Sequence, residues 1–264
     1  MKFNSKKKSS LTLIVSMHYV KLILRSILFV AATTAYIFHR IHDSDSYFGN
    51  FSNNTFLLAA IWIVFVIEMI LRLFPSSLES MGCQKQFAIN YHPVSAPQPK
   101  EKIDIQSGIV TFSVFSAWIA LNAIIGILYY THIIDMGILL LIALAYSVCD
   151  VICILFFCPF QTWFMKNKCC TTCRIYNWDY AMMFTPFVYI PGFYTWSLLG
   201  IALILLITWE YLYHKHPKRF SEKCNASLSC KNCKEKLCHH KRQLRYFLKK
   251  RNFNLNGNAI FKKN

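Results

Sequence analysis

Residues 175–213 read IYNWDYAMMFTPFVYIPGFYTWSLLGIALILLITWEYLY, and the fold turns on how they are divided. Phe193 to Tyr213 is long and apolar enough to cross a bilayer, which takes about 20 helical residues. Ile175 to Ile190 is shorter and holds Asp179 and Pro186. The Pro191-Gly192 dipeptide between the halves is a strong turn signal. The short half therefore crosses as a brief kinked helix, re-enters and returns, or lies on the surface.

Upstream, four further apolar stretches have membrane length: about Val20–Phe38, Thr55–Phe74, Gly108–Tyr130 and Met136–Phe157. Composition agrees: 264 residues, 55% hydrophobic, 16% aromatic, mean hydropathy +0.34. Such values point to an integral membrane protein rather than soluble domains. The basic start (Lys2, Lys6, Lys7, Lys8) and the apolar run interrupted by Lys21 and Arg25 read as a signal anchor, not a cleaved signal. Lys21 and Arg25 sit one helical turn apart, where long side chains are expected to snorkel to the head groups.

Charge sets the orientation. The chain carries a formal +17, and its Lys and Arg are clustered. They fall in the N-terminus, the Pro75–Gln106 loop, the Cys158–Arg174 loop and the tail, but hardly in His39–Asn54, Thr131–Asp135 or Pro191-Gly192. Lys and Arg mark cytoplasmic connections. Alternation is complete only if Ile175–Ile190 crosses or re-enters. The expected fold is an all-α polytopic membrane bundle of six spans, or four to five with a re-entrant segment. Residues 1–19 form a basic cytosolic N-terminus, 20–213 the transmembrane domain and 214–264 a cytosolic cysteine-rich basic tail. Both termini are expected on the cytoplasmic side of the cell membrane. In the tail, Leu237, Leu244, Phe247 and Leu248 make an apolar stripe among Lys and Arg, which suits anionic lipid head groups. No recognition motif accompanies the charge, so specific nucleic-acid binding is not expected.

Eleven cysteines carry the chemical signal. Cys170-x-x-Cys173 and Cys230-x-x-Cys233 have the spacing at which two thiolates grip one metal ion. With this topology both pairs face the cytoplasm, where thiols stay reduced. Four thiolates then make a tetrahedral site for zinc, with an iron–sulfur cluster as the alternative. Cys169, Cys224, Cys238 and His216 are substitute ligands. Cys149, Cys153 and Cys158 suggest a thiol relay, though cysteine is also a small packing residue in helices.

Five further polar residues fall in or near the spans: Glu68, Arg72, Asp150, Asp179 and Glu210. Glu68 and Arg72 are spaced i, i+4 with the acid first, which favours a pair within one helix. Asp150 is the strongest functional candidate, since an intramembrane carboxylate is costly to keep. Asp179 is expected to cap the short helix, and Glu210 to sit at the interface paired with a tail Lys or His214. Hydrolase, P-loop, dinucleotide and H-E-x-x-H motifs are absent, and eight glycines leave little for a phosphate loop. Whether the chain is an enzyme stays open. Three functions follow: a metal-stabilised binding, scaffold or sensor protein; a thiol or iron–sulfur oxidoreductase serving a lipid-soluble carrier; or a small transporter using Asp150 and Glu68/Arg72.

Overall fold

The computed structural model describes residues 13–42, 55–75, 81–94, 108–160, 172–229 and 232. Among them every regular element is helical, apart from one isolated bridge between Pro93 and Asn225. Seven α-helices follow one another: α1 Leu13–His42, α2 Thr55–Leu73, α3 Met81–Gln84, α4 Gly108–Tyr130, α5 Met136–Leu155, α6 Asp179–Phe184 and α7 Phe193–Lys215. Four of them, α1, α4, α5 and α7, are long and apolar enough to cross a membrane. The helix that holds the expected first span, α1, already starts at Leu13.

The helices are apolar outside and mixed inside. In α2, Ile63, Ile67 and Ile70 are exposed, while Ile61, Phe65, Glu68, Met69 and Arg72 are buried at helical spacing. Likewise α1 exposes Val20, Ile23 and Ile27 but buries His18 and Arg25. Water would reverse that preference; lipid tails permit it, because apolar surface facing them loses nothing.

The α4–α5 hairpin is set by its turn. His132 adopts φ 58°, its N–H donates to the Tyr129 carbonyl (3.0 Å), and that of Ile133 reaches Leu128 (3.0 Å). These two bonds close a Schellman motif. Asp135 then caps α5 by accepting from Ile138 N–H (2.9 Å), and Tyr36 of α1 donates to its other oxygen (2.9 Å).

The short half of the opening stretch forms the core of the bundle. Arg174–Trp178 and Thr185–Tyr189 are 3-10 helix on either side of α6, giving pieces of five, six and five residues. Tyr180, Met183, Phe184 and Phe187 are almost fully buried, and Phe184 stacks on Phe187 (5.4 Å) and meets Phe65 edge-on (5.1 Å). The lower end of the bundle is that at which α2, α5 and α7 finish and α4 begins. At that end Trp178 donates to Glu210 (2.7 Å) and packs on Phe115 (6.4 Å). At the other, Tyr189 lies 6.4 and 6.0 Å from Tyr129 and Tyr130. So 174–189 runs the length of the bundle, and a surface position for it is excluded.

Its far end needs Gly126. A Cβ there would collide with the Tyr189 ring, whose hydroxyl donates to the Asn122 carbonyl (3.0 Å). Gly126→Ala is expected to destabilise by about 1–3 kcal/mol through overpacking. Thermal unfolding in detergent would read this, and adding Tyr189→Leu should recover most of it.

Candidate functional site

Two arginines organise the lower third of the bundle. Arg25 is 2% exposed and turns inward instead of snorkelling. It donates to Glu68 (2.5 Å), to Asp150 (3.0 Å) and to the Ser147 carbonyl (2.9 Å). Arg72 is also 2% exposed and pairs with Asp179. The expected Glu68–Arg72 pair within α2 is thus exchanged for two pairs between elements. Each residue finds a partner that also joins α2 to another part of the bundle.

Tyr180 lies between the arginines. Its hydroxyl donates to Glu68 (2.9 Å), and its ring faces Arg25 at 5.8 Å and Arg72 at 5.0 Å. Such contacts suit desolvated guanidiniums, which are weakly hydrated and stack on aromatic faces. His18, two helical turns before Arg25 on the same face of α1, is buried with no hydrogen-bond partner for Nε2 among the described residues. Asp179 accepts the N–H of Tyr180 (3.0 Å) besides Arg72, but it is the first residue of α6 rather than its cap: the N-cap position falls to Trp178, which makes no side-chain cap bond. Spacing singled out Arg72 only as a partner for Glu68, and did not single out Arg25, Tyr180 or His18 as partners. Their shared signal is position: His18 and Arg25 lie seven residues apart on the face that also carries Ala32.

Asp150 and Asp179 also border a cavity of about 330 Å³ between α4, α5, residues 158–160 and residues 173–183. Cys149, Cys153, Cys158 and Cys173 lie on its wall. The Cys153 and Cys158 thiols are within hydrogen-bonding reach, and all four cysteines are in the free thiol form.

Of the expected metal ligands, Cys170, Cys230 and Cys233, with Cys169 and Cys238, fall outside the described residues. Cys173 is buried against Val114 and Ile175. Cys224 is half-buried, and its carbonyl accepts the Val94 N–H (3.3 Å). Partial burial and the nearby charges of Arg219 and Lys215 lower the pKa of His216 below the ordinary histidine value. Among the described residues no three of His, Cys, Asp and Glu converge as metal donors.

The start of the tail is nonetheless built into the lower face. Asn225 is fully buried and donates to the Lys85 (3.0 Å) and Arg219 (2.9 Å) carbonyls. The next residue of that loop, Gln86, accepts from Asn177 (2.9 Å). Glu210 accepts from Arg174 (2.7 Å) and Trp178, while His214 stands further off at 3.7 Å.

Comparison with protein-family models, curated proteins and solved structures finds no match. The class rests on the chain itself: a helical protein with four long apolar helices and a buried ionic cluster, as in an integral membrane protein.

Proposed function

We propose that the chain is a six-crossing membrane binding or scaffold protein, with both termini in the cytoplasm and a cysteine-rich platform on its cytoplasmic face. In this reading α2 and residues 174–189 are the fifth and sixth crossings, and the platform is held by zinc on Cys170, Cys173, Cys230 and Cys233. One observation carries it: adjacent residues Lys85 and Gln86 bind Asn225, from the segment before Cys230, and Asn177, from the segment after Cys173. Both cysteine-bearing segments therefore start from one patch of one loop. The thiol pairs themselves enter through their spacing in the sequence.

Elemental analysis of purified protein tests it. About one zinc per chain is expected, since four thiolates complete one tetrahedral site. Cys170→Ser and Cys233→Ser should each lose the metal; full occupancy in both would refute the shared site. Asn225→Ala should loosen the platform by about 1–3 kcal/mol, because it strands buried carbonyls. The readout is faster proteolysis after Arg219 with the bundle intact.

A second reading, a small transporter, is favoured by Asp150, which meets Arg25 on one side and the cavity on the other. It predicts proton flux in proteoliposomes that Asp150→Asn removes while zinc is retained.

A further inference from the structure

We infer that the cavity beside Asp150 and Asp179 is a binding site for an organic amine: a cationic head on an apolar body. Its volume, about 330 Å³, falls in the range of small-molecule sites, about 300–1,000 Å³. Trp118, Tyr146, Tyr176, Met182 and Met183 give it apolar and aromatic walls.

Among the described residues, the charged part of the lining has one sign. In a chain of formal charge +17, neither Lys, Arg nor His is among the described residues around the cavity, and both charged groups there are carboxylates. The arginines reach those carboxylates on other atoms. Arg25 takes Oδ2 of Asp150, and Arg72 takes Oδ1 of Asp179. Asp150 Oδ1 and Asp179 Oδ2 accept no hydrogen bond from the described residues, although an ionised carboxylate has room for about four. Among the described residues, the bonded cluster sets Glu68, Asp150 and Asp179 against Arg25 and Arg72, a formal balance of one negative charge. Lys21, half-exposed on α1, acts on Glu68 at a distance and does not line the cavity.

An ammonium group answers each of these features. It donates to the open carboxylate oxygens and balances the formal charge. The paired rings of Trp118 and Tyr146, 4.9 Å apart, offer it a π face. An alcohol supplies a donor without the charge, and a carboxylate is repelled.

The test uses the full chain in lipid nanodiscs with three radiolabelled probes of one shape: phenylbutylamine, phenylbutanol and phenylbutyrate. Saturable amine binding is expected at least about tenfold tighter than alcohol binding, a difference of about 1.4 kcal/mol. Phenylbutyrate should show none. Asp150→Asn and Asp179→Asn should each weaken the amine by a similar factor. Either may fold poorly, since each carboxylate also pairs with an arginine. Met182→Trp therefore provides an independent arm: it fills the cavity without touching an ion pair, and saturable amine binding should vanish at unchanged thermal stability. Equal affinity for amine and alcohol would overturn the inference, as would non-saturable uptake alone or binding that survives Met182→Trp. Cys233→Ser, which addresses only the platform, should leave amine binding as it was.

Discussion

Replacing Arg25 by methionine is expected to lower stability by about 3–5 kcal/mol, the usual loss when one member of a buried ionic pair is removed. Methionine fills much of the volume, so packing is a minor part. The damage comes from Glu68 and Asp150, whose carboxylates lose their donor in a medium that solvates charge poorly. The Ser147 carbonyl loses its side-chain donor as well. Arg25→Lys should fall between, because an ammonium keeps the charge but lacks the fork that spans both acids and the carbonyl. Adding Glu68→Gln to Arg25→Met should recover part of the loss, and adding Asp150→Asn more. Thermal unfolding in detergent and the amount of folded protein in membranes would measure the series. If lysine is as damaging as methionine, or if neutralising the acids recovers nothing, the cluster is not held by charge.

Sequence revealed the members of this cluster more readily than their pairing. Asp150 stands out because an acid deep in an apolar helix demands a partner. Glu68 and Arg72 stand out for the same reason, but i, i+4 spacing proposes a partner that is merely nearby along the chain. Within a bundle, nearness along one helix competes with every facing helix. Arg25 and Asp179 win here because they pair with α2 and at the same time bind Tyr180. Arg25 was read as snorkelling since it lies near the start of its apolar run. That judgement fails because α1 extends down to Leu13, which leaves Arg25 well inside the helix. The covering of the lower face by Asn225 could not be foreseen, since a polar residue in a basic tail has no periodic signature.

Helix positions were legible because apolar runs of this length have few alternatives to a helix. Thr55, Gly108 and Met136 begin α2, α4 and α5 where the apolar runs begin, and Phe193 begins α7 just after Pro191-Gly192. The course of 174–189 was not legible, because length was judged at the α-helical rise. Sixteen residues of uniform α-helix reach about 24 Å, short of a hydrocarbon core of about 30 Å. With ten of them at the 3-10 rise, the same chain reaches about 29 Å. Pro186, which allowed a kinked helix as one of three courses for the short half, sits near the start of the second 3-10 turn, where its missing N–H leaves no bond unmade.

That length makes a sharp prediction at Gly192. A cysteine placed there is expected to react with a membrane-impermeant maleimide on intact cells, while the parent chain does not. Its eleven own cysteines fall, on the proposed topology, at the cytoplasmic face or within the bundle. The substitution is mild. Gly192 has φ 171°, an extended conformation open to any residue, and an added Cβ would approach only the Thr195 hydroxyl at 3.3 Å. The other arrangement predicts silence. A hairpin that re-enters would hold its turn inside the bilayer, shielded from a charged reagent. Labelling would also fix the depth of the ionic cluster. Asp179 starts α6 five residues into the proposed crossing 174–189, and its partner Arg72 lies at the last turn of α2. With Gly192 outside, both belong to the cytoplasmic third of the membrane, where a guanidinium and a carboxylate can be kept charged only by each other. An unlabelled Gly192→Cys protein, folded and present in the membrane, would remove the sixth crossing and with it the alternation of basic and non-basic loops.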